Sequence, residues 1–155
     1  MQHGIYLYNW VGAPWKAQYH IRNVLNRLYS AQPDGLCGDE DNGQTSAWYV
    51  FSAMGFYPVC PAQPEYAIGS PLFDRITLTL ENGNTFTIEG MNNSNENCYI
   101  QEAALNGKPF DRTWIGHDEV MNGGNLSFTL GASPNKDWGT GPSAAPYSMS
   151  LEEEK

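Results

Sequence analysis

The hydrophobic pattern of this chain changes period once, near Phe56, and that change limits the fold to a helical part followed by a sheet part. Before it, Ile21, Val24, Leu25 and Leu28 recur at the i, i+3, i+4, i+7 spacing that lines one face of a helix. Pro14 suits the first turn of that helix, where its missing N–H would have no partner in any case. Pro33-Asp34-Gly35 breaks the pattern after Ser30. Thr45–Met54 is apolar almost all round, which predicts a short helix covered on several sides and ended by Gly55. Only one other helix is available to cover it beside the strands. Some of Trp48, Tyr49, Val50 and Phe51 should therefore stay exposed, and an apolar patch beyond roughly a few hundred Å² drives association.

After Phe56 the period is two. Ile76, Leu78 and Leu80 alternate with threonines, Asn82-Gly83-Asn84 turns the chain, and Phe86 and Ile88 alternate again, which is a hairpin signal. Further strands are predicted at Cys98–Leu105, at Arg112–Ile115 after the Asn106-Gly107 turn, and at Leu126, Phe128 and Leu130 after Gly123-Gly124. The 16 glycines and 10 prolines fit many short elements joined by turns. The fold class expected is α+β, with the strands forming a mostly antiparallel, sandwich-like domain. Residues 132–147 read as a rim loop or tail, and 152–155 as a fraying end.

At 155 residues the chain fits one ordinary domain, or one small domain with an appendage, and 41% hydrophobic content is enough to build a core. A formal charge of -9 repels phosphate backbones and anionic lipid heads, so nucleic acid and membrane surfaces are unfavoured partners. No apolar run approaches the ~20 residues of a membrane span, and no signal peptide opens the chain. Cys37, Cys60 and Cys98 are odd in number and lack any C-x-x-C spacing, so three free thiols are favoured over one bridge and one thiol.

The acidic loop Gly38-Asp39-Glu40-Asp41-Asn42-Gly43-Gln44 concentrates three carboxylates beside a helix start. In an extended segment Asp39 and Asp41 would project one way and Glu40 the other. Two carboxylates aimed at one point can hold a water or a cation. The alternative is structural: Asp41 or Asn42 caps the helix and the other acids are solvated. An EF-hand fails its register, because with Asp39 at position 1 Gln44 stands where Gly is needed and Val50 where a bidentate Glu is needed. His3, His20 and His117 are scattered, so a zinc triad would require distant positions to converge, and surface or hydrogen-bonding histidines are favoured. Among the tryptophans Trp48 could stack on a sugar ring, but its all-round apolar helix favours a core position. Asn92-Asn93-Ser94 and Asn125-Leu126-Ser127 match the N-glycosylation sequon, a motif short enough to arise by chance.

The stretch from Gly35-Leu36-Cys37-Gly38-Asp39-Glu40-Asp41-Asn42-Gly43-Gln44 through Trp48 to Gly55-Phe56-Tyr57-Pro58 resembles glycoside hydrolase family 92, the calcium-dependent exo-acting α-mannosidases. The likeness extends upstream through Tyr6-Leu7-Tyr8-Asn9-Trp10 and Pro14-Trp15-Lys16. Downstream it runs through Ile68-Gly69-Ser70-Pro71-Leu72-Phe73, Leu105-Asn106-Gly107, Gly123-Gly124, Pro134-Asn135 and Trp138-Gly139. Cys37 and Thr45 depart from it, standing where proline and methionine are expected.

The resemblance implies that residues 1–57 are the terminal helices of an (α/α)6 barrel, 58–150 a C-terminal β-rich domain and 151–155 a tail. It also implies an inverting reaction on mannose-containing glycans, with Asp41 as general base, Asp39 as its helper, and the acid supplied by the remaining N-terminal part of the parent enzyme, upstream of Met1. His3 and Trp48 are the expected sugar contacts. Asn42 and Gln44, with His3, are the candidates for holding Ca2+. A periplasmic or extracellular location follows from the same likeness. The competing expectations are a non-catalytic carbohydrate-binding β-sandwich module and a purely structural domain.

Overall fold

The computed structural model describes residues 3–151. A 3-10 helix, Gly4–Asn9, leads into α1, Pro14–Leu28, with Pro14 at its first turn, and α2 spans Gln44–Met54. Gly55 ends α2 in the left-handed conformation, φ 104°, its N–H donating to the Phe51 and Ser52 carbonyls. The elements that follow are β1 Phe56–Tyr57, β2 Glu65–Ile68, β3 Arg75–Thr79, β4 Thr85–Met91, β5 Tyr99–Leu105, β6 Lys108–Pro109, β7 Trp114–Gly116, α3 His117–Met121, β8 Gly124–Gly131 and a closing 3-10 turn, Met149–Leu151. The mixture of helices and strands is α+β. The predicted Arg112–Ile115 strand corresponds to β7, which joins the other sheet, and the two-residue β6 that pairs with β5 comes before it in the chain.

The strands make a three-stranded sheet, β1-β2-β7, and a five-stranded sheet, β3-β4-β8-β5-β6. All pairings are antiparallel but one: β8 runs parallel to β4, Phe86 opposite Gly124 through Met91 opposite Thr129. The sheets are mostly antiparallel, as expected, with this one parallel neighbour. Periodicity states which face of a strand is apolar, but it does not state the neighbour, and β8 returns by a crossover through β7 and α3 instead of by a hairpin.

Alternation places the side chains. Phe86, Ile88, Leu126, Phe128 and Leu130 bury one face of the five-stranded sheet against Phe56, Ile68 and Ile115 of the three-stranded one. The residues next to them in the chain, Tyr57 and Ala67, face the other way and pack with Tyr6, Ile21, Leu25 and Trp48 of the helices. The three-stranded sheet is thus a wall shared by two cores, and Phe51 of α2 touches both.

The helices are also tied to the strands by buried polar groups. On the buried stripe of α1, Gln18 Oε1 accepts the Ile100 N–H at 3.0 Å. Arg22, only 3% exposed, donates to the Pro71 carbonyl, to Asn93 Oδ1 at 2.8 Å and to the Ser94 carbonyl at 2.7 Å. Asn9 Nδ2 donates to the carbonyls of Ile68 at 2.8 Å and Thr113 at 3.3 Å. Residues 132–147 are irregular yet firmly held: Trp138 Nε1 donates to the Phe110 carbonyl, Thr113 bonds the Ala144 carbonyl, and Trp10 Nε1 donates to that of Tyr147. The expected fraying at 152–155 falls outside the described residues. All three cysteines are free thiols.

Candidate active site

The acidic loop is built from backbone conformations that few residues adopt. The Ser30 N–H donates to the Gly35 carbonyl and the Gly35 N–H to that of Gln32, closing a turn in which any Cβ at Gly35 would lie 1.9 Å from the Ser30 oxygen. Further on, Asp41, Asn42 and Gly43 take left-handed φ values of 47°, 58° and 81° in succession before α2 starts. Short polar side chains tolerate that region best, at about 1–2 kcal/mol per non-glycine residue.

Along this segment exposure alternates: Asp39 is exposed, Glu40 half-buried, Asp41 exposed. Glu40 turns inward, where its Oε1 accepts the Ser46 N–H at 3.3 Å and the Ser46 hydroxyl. The N-cap position of α2 is Gly43, which has no side chain to offer, so the carboxylate that caps this helix is that of Glu40. Neither Asp41 nor Asn42 does so, which corrects the capping expectation. Thr45 secures the backbone on either side of Glu40, its hydroxyl donating to the Asp39 carbonyl at 2.8 Å and its N–H to that of Glu40 at 3.2 Å. The carboxylates of Asp39 and Asp41 are left unengaged by any described residue and face solvent.

The other expected contacts separate. Trp48 is 0% exposed and stacks on Tyr29 with ring centroids 5.8 Å apart, so it has no free face for a sugar and is corrected to a core residue. Val50, 54% exposed, is the only clearly open member of the quartet expected to show. His3 is half-buried with its ring edge against Tyr57, 5.3 Å between centroids, and no described contact joins it to the acidic loop. Asn42 is exposed, and Gln44 is half-buried at the first position of α2.

Calcium takes about 6–8 oxygen ligands. Asp39, Asp41, Asn42 and Gln44 are donors of the right kind, but among the described residues no three carboxylate, histidine or cysteine side chains gather as a metal-holding group.

An apolar cavity of about 360 Å³ lies behind the loop, lined by Tyr29, Ser30, Ala31, Gly35, Leu36 and Tyr49. A larger one, about 560 Å³, opens on the five-stranded sheet between β5 and residues 135–138; the aromatic rings in its lining, Phe110 and Trp138, are 5% and 8% exposed and present no stacking platform. Glu40 as a helix cap was missed from sequence because its partner stands six residues on, outside any local capping pattern. Tyr66 OH and His117 Nδ1, 2.7 Å apart, were likewise invisible to spacing rules.

Residues 1–132 match the family model described as the glycosyl hydrolase family 92 catalytic domain. A family 92 inverting mannosidase from Bacteroides thetaiotaomicron superimposes with a TM-score of 0.91 at 56% identity, over 96% of this chain and 20% of that one. A family 92 α-mannosidase of the same organism gives a TM-score of 0.92 at 39% identity, over 96% and 20%. A protein of Arthroderma benhamiae described as an uncharacterized secreted glycosidase is 35% identical over 147 residues, 93% of this chain and 19% of its own length. The chain therefore spans about a fifth of the relatives it matches. Among the described residues no helix is long and apolar enough to cross a membrane.

Proposed function

The chain belongs to glycoside hydrolase family 92, and on that premise we propose that it forms the C-terminal part of an inverting, exo-acting α-mannosidase, with Asp41 as the general base and Asp39 as its helper. The observation that carries the reading is the acidic loop: it holds Glu40 inward and leaves both aspartates unpaired and open to water. An inverting hydrolase needs such a carboxylate about 6.5–9.5 Å from its acid, with room between them for the water that attacks the anomeric carbon. Asp41 takes a proton from that water as the C–O bond forms on one face of the sugar. The acid, from the part of the enzyme outside these residues, protonates the leaving oxygen on the other face. The similarity to mannosidases supports mannose-containing glycans as substrates, and the secreted relative supports action in the periplasm or outside the cell. Calcium, if the enzyme carries it, would bind sugar hydroxyls and favour a distorted ring, with donors from outside this chain completing whatever Asn42 and Gln44 supply.

The test is hydrolysis of an aryl α-mannoside by the intact enzyme, with the first-formed anomer read by NMR. β-Mannose is expected as initial product, and Asp41→Asn should lower kcat by about 10²–10⁴ with a smaller change in KM. The 155-residue chain alone should be inactive. Turnover by that chain, undiminished in Asp41→Asn, would overturn the assignment.

A further inference from the structure

We infer that Glu40 is a positioning residue of the base loop: anchored on Ser46, its carboxylate fixes the direction in which Asp39 and Asp41 leave the backbone. The inference rests on Asp41 being the base, as proposed above, and adds the device that aims it.

The geometry gives Glu40 a role different from that of its neighbours. Three successive left-handed residues, Asp41 to Gly43, lie between Glu40 and α2. The carboxylate of Glu40 spans them, receiving both donors of Ser46. A charge-assisted pair of this kind is stronger than neutral hydrogen bonds and holds its partners in a narrower range of geometries. The Thr45 hydroxyl on the Asp39 carbonyl and the Thr45 N–H on the Glu40 carbonyl brace the same three residues from the backbone side. Asp39 and Asp41 flank the pinned residue, so the orientation of both depends on it.

Glu40 is not placed to act as the base itself. Its Oε1 is occupied by two donors, and its Oε2 is shielded from solvent and accepts no hydrogen bond from any described residue. Neither oxygen is open to a water poised for attack. Because Oε2 is buried without a described partner, Ser46 supplies all the described hydrogen bonding of this carboxylate, and weakening that bond leaves a half-buried charge unsupported. A misaimed base is costly, since a displacement of about 1 Å can lower a rate by about 10².

The experiment is a variant series in the intact enzyme: Glu40→Ala, Glu40→Gln, Ser46→Ala and the double variant Glu40→Ala/Ser46→Ala, with kcat, KM, the pH dependence of kcat and the thermal midpoint of each. Glu40→Ala should lower kcat about 10- to 100-fold while KM moves far less. Glu40→Gln keeps an acceptor for Ser46 and should restore a substantial part of that loss, with a pH profile of wild-type shape. Ser46→Ala should have a smaller effect, and the double variant should be no worse than Glu40→Ala, because the two side chains act through one bond. Three results would overturn the proposal: Glu40→Gln as inactive as Glu40→Ala with a limb of the pH profile lost, full additivity of the two sites, or Glu40→Ala at wild-type kcat. Should Glu40→Ala fail to fold, Ser46→Ala, which removes the same bond from its other end, takes its place, and wild-type kcat in that variant would overturn the proposal. Asp41→Asn run alongside separates the two readings: an active Asp41→Asn removes the base assignment, whereas an active Glu40→Ala beside an inactive Asp41→Asn removes only the positioning role.

Discussion

The sheet half and the helical half of this chain bury comparable side chains by different means. In the sheet half, alternation sends Phe86, Ile88, Leu126, Phe128 and Leu130 to one side, and the facing sheet covers them with apolar side chains. In the helical half the buried stripe of α1 mixes Ala17, Ile21 and Leu25 with Gln18 and Arg22, whose polar ends reach into loops and strand edges of the other half. Exposed large apolar residues also concentrate there: Leu7, Val11, Tyr19, Leu28, Leu36 and Val50, against Phe73, Met91 and Met149 beyond residue 55. The sandwich closes on itself. The helices hold more apolar surface than this chain covers and are fastened to the sandwich at discrete polar points.

The contrast can be broken most directly from inside each core. Phe128→Ala should cost about 3–5 kcal/mol and unfold both halves together, as read from urea denaturation. Trp48→Ala removes a side chain of similar burial and should cost about as much, yet it should release α1 and α2 while β4 and β8 keep their amide protection in hydrogen exchange. Equal loss of protection in the strands would mean that the shared sheet welds the two cores into one cooperative unit.

A smaller effect is expected at the fastenings. Arg22→Met keeps the length of the side chain but strands the Pro71 and Ser94 carbonyls, for about 1–3 kcal/mol in a melt. The uncovered helical surface should make the 155-residue chain associate or bind a hydrophobic dye, and Val50→Glu with Leu36→Glu should reduce that binding without lowering stability by more than about 0.5 kcal/mol. A clean monomer without dye binding at high concentration would show that the helical half is self-sufficient.

The smallest expected effect sharpens the sheet side. Burial raises the Glu119 carboxyl, but the Arg112 hydrogen bond, the Gly116 N–H and the Arg112 charge outweigh it and hold the group below its ordinary value of 4.5. A depressed acid contributes stability above its unfolded pKa and loses it as pH falls through the folded one. Glu119 should therefore support the sandwich at neutral pH and cease to do so in acid. With side chains 28% and 36% exposed the pair contributes at most about 1 kcal/mol, and Glu119→Gln should flatten the acid limb of stability against pH by that amount.

How much of this was legible in sequence divides along the same line. Helix α1, helix α2 and the β3–β4 hairpin follow from periodicity and turn residues, because their partners are near in the chain or their apolar face is continuous. The parallel insertion of β8 beside β4 was not legible, since Leu126, Phe128 and Leu130 would show the same pattern beside any strand. Nothing in the periodicity of α1 marks Gln18 and Arg22 as buried, since their bonds reach residues 49–82 positions away. At the acidic loop the residue types drew attention to Asp39 and Asp41, and the alternation assigned Glu40 the opposite side. The conformation was not legible, because three left-handed residues in a row interrupt the extended geometry from which alternation is counted.

The placement of β8 sets an order of events during synthesis. The strand that fills the middle of the five-stranded sheet is the last of that sheet to leave the ribosome, after both of its flanking hairpins, β3–β4 and β5–β6, have been made. Until Gly124–Gly131 emerges, β4 and β5 each present an open edge with its N–H and C=O groups unpaired, and pairing of those edges with each other or with another chain competes with the native arrangement. Translation pausing or truncation just before residue 124 should therefore yield aggregates, whereas a chain that carries both β8 and Trp138, which packs in the same core, should give a foldable sandwich.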